Sequence, residues 1–100
     1  MNISIQKNGG AITLILDGWL DTMSSPELAA EVEKINSAAA IILDFSGVEY
    51  IASSGLRQVV AASRKAKEIG AEFSVINVCP EIMSIFALTG LEKKLSIKAK

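Results

Sequence analysis

The chain is expected to fold as a small single-domain α/β protein: a mixed, mostly parallel sheet of four to five strands with three to four helices packed against it. Three observations point there. Apolar runs of strand length alternate with segments whose apolar residues recur at helical spacing. Asn8-Gly9-Gly10, a turn sequence, separates the first two runs, so these pair as an antiparallel hairpin. Each later strand follows a helical segment, and strands joined through helices pair in parallel with right-handed crossovers. At 100 residues and 50% hydrophobic composition, residues 1–100 make one domain that can bury a core without disulfide or metal.

Taken in order, Ile3 and Ile5 alternate with polar residues in the first strand, and Ala11 to Leu16 form the second. Ser24-Ser25-Pro26-Glu27 then opens a helix. Ser24 and Glu27 match a capping box, Pro26 suits a first turn, and Leu28, Val32, Ile35 and Ala39 form the apolar stripe. Residues 40–45 are the next strand, and its unbroken Ile41-Ile42-Leu43 is of the kind seen in strands covered on both faces. The pattern does not decide whether the helices lie on one face of the sheet or on both. Leu56, Val59, Val60, Ser63 and Ala66 mark a second helix that runs to Ile69 and ends at Gly70. Phe73 to Val78 is a strand, Pro80-Glu81 opens a third helix that Gly90 stops, and Leu95 with Ile97 suggests a closing edge strand before a basic tail.

Composition narrows the function. The chain has no histidine, which removes the commonest general base and the commonest metal ligand together. Ser-His-Asp and Cys-His chemistry is excluded within the chain, there is no Gly-x-Ser-x-Gly elbow and no phosphate-binding Gly-rich loop, and no enzyme activity, metal or cofactor is expected. The single cysteine, Cys79, forms no internal disulfide and reads as a small apolar filler. No basic start leads into a long apolar run, and no run approaches a membrane span, so a cytoplasmic protein is expected. Residues 1–50 hold seven acids and two bases, residues 51–100 eight bases and four acids. Arg57, Arg64, Lys65 and Lys67 share one predicted helix, but no aromatic platform or groove-binding motif accompanies them, so neither nucleic acid nor membrane is an expected partner and a solvated face is the plain reading.

Ser53-Ser54-Gly55 is the most informative segment. It stands where the third strand gives way to the second helix, the edge at which open α/β sheets meet ligands and partners. Unpaired N–H groups and the helix dipole favour an anion there, so a phosphate on Ser54 would be tolerated by the fold; the plain alternative is that Ser53 or Ser54 is only an N-cap. Gly55 permits close backbone approach, by the helix entry or by a partner loop. Trp19, in a chain of five aromatics, reads as core, with an interface anchor as the alternative; Met23 and Met83 read as gap fillers, with adaptable contact residues as the alternative. Asp21 either caps a local turn or meets a partner.

Leu16 to Asp21, Asp44 to Leu56 and Pro80 to Leu91, three separated motifs in order, resemble the STAS family, in particular the bacterial anti-sigma factor antagonists. The resemblance covers nearly the whole chain and implies a single STAS domain. It implies that the chain binds an anti-sigma factor that is also a serine kinase and so frees a sigma factor. It further implies that phosphorylation of Ser54, with Ser53 the lesser acceptor, ends that binding, and that a serine phosphatase restores it. Asp21, Ser53, Ser54, Gly55 and Arg57 are the residues expected to meet the partner. Many members carry Asp before the serine pair where this chain has Ala52, which keeps open a second reading, a non-phosphorylated STAS adaptor in a signalling complex or a small-ligand-binding module. A monomer or weak dimer is expected.

Overall fold

A computed structural model describes all 100 residues. Gly9 and Gly10 take φ of 58° and 88°, the left-handed pair that a two-residue hairpin turn requires. They fold β1 (Asn2–Asn8) back on β2 (Ala11–Leu20) in antiparallel register. The chain continues through α1 (Ser25–Glu33), β3 (Ala40–Ile51), α2 (Ser53–Glu68), β4 (Glu72–Val78), α3 (Pro80–Thr89), the single turn α4 (Leu91–Lys94) and β5 (Ser96–Ala99). Spatial strand order repeats chain order, β1-β2-β3-β4-β5, and every pair after the hairpin is parallel. The five-stranded mixed sheet and four helices match the expected class, and Gly70 and Gly90 follow α2 and α3 with φ of 74° and 76°.

The helices cover one face. Ile12, Leu14 and Leu16 of β2 and Ile41, Leu43 and Phe45 of β3 are buried, in strict alternation with less buried neighbours. Pairing places Leu14, Leu43, Val75 and Ile97 in one row. These side chains join Leu28, Val32, Val59, Ala66, Ile82 and Phe86 in one core. Ile42, expected beneath a second cover, instead lies on the open face in a row with Thr13 and Ser74. A run of three apolar residues fits either arrangement; the polar row-mates show which one holds.

The third strand is also longer than the expected 40–45. Beyond Asp44 it carries two bulges against β2, one between the Ile15 and Asp17 pairings and one between Gly18 and Trp19. Each inserts an extra β3 residue, so the buried positions become Phe45, Val48 and Ile51, three apart. That spacing hides the strand from a search for period two.

Candidate partner-docking site

Strands β2 and β3 end side by side at Leu20 and Ile51, and each hands the chain to a helix through a segment containing Ser-Ser. After β2 the polar groups are consumed internally. The Asp21 carboxylate accepts the N–H groups of Met23 and Ser24 at 3.0 and 3.1 Å, and the Ser24 hydroxyl accepts the Asp21 N–H at 2.9 Å while donating to the Trp19 carbonyl. The Ser25 N–H and hydroxyl both donate to the Asp21 carbonyl. Ser24 and Ser25 are buried. The expected capping box does not form: Ser24 makes no side-chain cap, and the Glu27 carboxylate lies 3.8 Å from the Met1 ammonium instead. Asp21 has already taken the N–H that Glu27 would reach, and so caps the turn. The Ser24 backbone N–H is the foremost reason its carboxyl sits below the usual 3.8, ahead of the opposing effect of desolvation.

After β3 the polar groups are left free. Ala52, in extended backbone at φ −95° and ψ 172°, is the N-cap of α2 and supplies no side-chain cap. Its N–H is held by the Leu20 carbonyl at 2.9 Å and its carbonyl accepts the Leu56 N–H at 3.0 Å, which tethers the helix start to the end of β2. Ser53 is exposed and Ser54 half-buried. The Ser54 hydroxyl meets only that of Thr22, at 3.3 Å. Gly55 is buried, and a Cβ there would fall 2.6 Å from the Leu20 carbonyl and 2.8 Å from the Ile51 side chain. The close approach it permits is therefore internal; Gly55 seats α2 on the strand ends and offers no surface to a partner loop. Arg57 is exposed one turn further on.

Two aromatics complete this end of the molecule. Trp19, read from sequence as core, is 59% exposed, because its odd position in β2 places it on the uncovered face. It packs against the exposed Tyr50 with ring centroids 5.5 Å apart. Met23, read as a gap filler, is likewise exposed, whereas Met83 does pack against the core. Thr22 and Tyr50 went unnoticed in the sequence. Neither carries a local signal: the Thr22 contact with Ser54 spans 32 residues, and Tyr50 pairs with Trp19 only after two bulges have shifted the register.

At the far side of β3, burial pushes the Asp44 carboxyl up but is outweighed by hydrogen bonds from the Ser46 N–H at 2.9 Å and the Asn77 amide at 3.1 Å, so it too sits below 3.8. No three His, Cys, Asp or Glu side chains gather as a metal site, and no helix is long and apolar enough to cross a membrane.

A family model described as the STAS domain matches residues 2–100. The chain is 25% identical to the anti-sigma-B factor antagonist of Bacillus subtilis, over all of this chain and 93% of that protein. Among solved structures, an anti-sigma factor antagonist from Mycobacterium paratuberculosis superposes with a TM-score of 0.88 at 24% identity, covering 99% of this chain and 86% of that one. The Bacillus cell fate determinant SpoIIAA in its phosphorylated form superposes with a TM-score of 0.76 at 18% identity, covering 99% and 92%.

Proposed function

The chain belongs to the STAS domain family, and from that premise we propose that it is an anti-sigma factor antagonist that acts in the cytoplasm, binds a cognate anti-sigma factor with serine kinase activity, and is switched off by phosphorylation of Ser54. The observation that carries this reading is the contrast at the strand ends: the Ser54 hydroxyl is accessible at an uncapped helix start, whereas Ser24 and Ser25 are buried in hydrogen bonds. A phosphate on Ser54 adds a charge of about −1.5 to −2. Within the domain that charge meets helix N–H groups, the favourable end of the dipole and the Thr22 hydroxyl, so the fold survives. Across an interface packed on Asp21, Ser53, Ser54 and Arg57 it meets a partner surface shaped for a neutral hydroxyl. A hundredfold loss of affinity needs only about 2.8 kcal/mol, within the cost of one uncompensated charge. A serine phosphatase then returns the chain to its binding form.

Titration calorimetry with the cognate anti-sigma factor tests the proposal. Wild type and Ser54→Ala are expected to bind and Ser54→Asp to lose at least about a hundredfold, with circular dichroism unchanged; wild-type affinity in Ser54→Asp would overturn it. Ala52 favours a second reading, a non-phosphorylated adaptor, because the N-cap lacks the carboxylate that the resemblance to the family leads one to expect there. Mass spectrometry of the protein from its native cell separates the two: phosphate on Ser54 selects the switch, and its absence under every growth condition selects the adaptor.

A further inference from the structure

Away from Ser54, the side of α2 facing α4 borders a groove that neither element fills. Its upper half, 410 Å³, lies over Leu56, Val60 and Leu91 between Arg57 and Arg64. Its lower half, a separate hollow of 430 Å³ that shares Arg64 with the first, is lined by Lys67, Phe73, Lys94 and Leu95. The chain's ion pairs are Met1–Glu27, Lys34–Glu31 and Lys65–Glu33, so these four cations have no carboxylate partner. No acidic residue lines either half.

We propose that this groove is a second docking surface, for an acidic amphipathic helix of a partner protein. An aliphatic floor beside a row of three unpaired cations on α2, with Lys94 of α4 as a fourth, matches a helix with one apolar face flanked by carboxylates. Arg57 and Arg64 stand seven residues apart on α2, about 10 Å at 1.5 Å per residue, which is the separation of acids one heptad apart on a helix lying alongside. A flat lipid surface would leave the floor uncovered, and single-stranded nucleic acid would want a series of exposed aromatic platforms where the groove offers one half-buried ring, Phe73, among Leu and Val. Arg64, Lys67 and Lys94 lie beyond the first two turns of α2 or on another element, so that part of the surface stands apart from Ser54, whereas Arg57, one turn from Ser54, borders both surfaces.

The test is an NMR titration of the ¹⁵N-labelled chain with designed helical peptides of about four turns, Leu on one face and Glu, Gln or Lys on the flanks, each made in several registers. Saturable shifts centred on Val60, Arg64 and Leu91, with the Glu peptide bound at least about tenfold more tightly than the Lys peptide, are expected. Arg64→Glu combined with Lys94→Glu should reverse that preference, an outcome that a merely structural role for these exposed residues would not produce. Ser54→Asp should leave the shifts at Arg64, Lys67 and Lys94 unchanged, so failure here is separable from failure of the phosphoswitch. No saturable shift, equal binding of Glu and Lys peptides, or shifts at these residues produced only by phosphatidylglycerol vesicles or an oligonucleotide would overturn the proposal.

Discussion

The molecule contains the same dipeptide twice in the same setting: Ser24-Ser25 after β2 and Ser53-Ser54 after β3, each at the end of a parallel strand and the start of a helix. The first pair is locked, with its hydroxyls satisfied by Trp19 and Asp21 backbone groups and its side chains buried. The second has no such lock. The difference is one carboxylate: Asp21 stands three residues before Ser24 and organises the turn, whereas the β3 end passes straight from Ile51 into the helix through Ala52. A serine pair at a helix start is thus a structural fastener or an exposed handle according to what precedes it.

The largest effect expected from disturbing this contrast is at Gly55. Gly55→Ala pushes a methyl group onto the Leu20 carbonyl, which is backbone and cannot rotate away, and should cost about 2–3 kcal/mol in urea unfolding. Next comes the locked pair. Ser24→Ala strands the Trp19 carbonyl and the Asp21 N–H at a cost of about 1–3 kcal/mol, read by the same unfolding midpoint. Ala52→Asp should act in the opposite direction: it gives the open start the cap it lacks and stabilises by about 1 kcal/mol.

Acid titration sharpens the comparison further. Both Asp21 and Asp44 have carboxyls held below 3.8 in the folded state, so the unfolded chain binds more protons there and stability rises with pH. Their contribution is present above about pH 4 and is lost as pH falls through the folded values. Asp21→Asn and Asp44→Asn should each flatten the acid side of the stability profile while leaving its neutral plateau sloped no differently. Smallest of all, Ser54→Ala should change stability by no more than about 0.5 kcal/mol, since its hydroxyl has one long contact. A loss as large as that of Ser24→Ala would erase the distinction between the two pairs.

Much of this was legible in the sequence. The strands other than the bulged second half of β3, the hairpin glycines, the helix ends at Gly70 and Gly90 and the place of Ser54 followed from periodicity and turn chemistry. Where reading failed, non-local facts decided. Ile42 looked doubly buried until Thr13 and Ser74 appeared beside it, and Trp19 looked like core until strand parity turned it outward. The Ser24–Glu27 capping box was a sound local pattern, defeated by Asp21 competing for the same N–H. The cationic groove was half visible, as charges on one helix; its floor and the contribution of Lys94 needed α4 to be in place.

Strand order that repeats chain order bears on how the protein is made. Each strand emerging from a ribosome finds its only upstream neighbour already present, and none has to be inserted later between two earlier ones. Assembly can therefore proceed vectorially, with α2 docking on β3 before β5 exists, and nascent chains arrested after β4 should already resist proteolysis across β2 and β3. Uniform susceptibility until release would show that the closing edge strand is needed first.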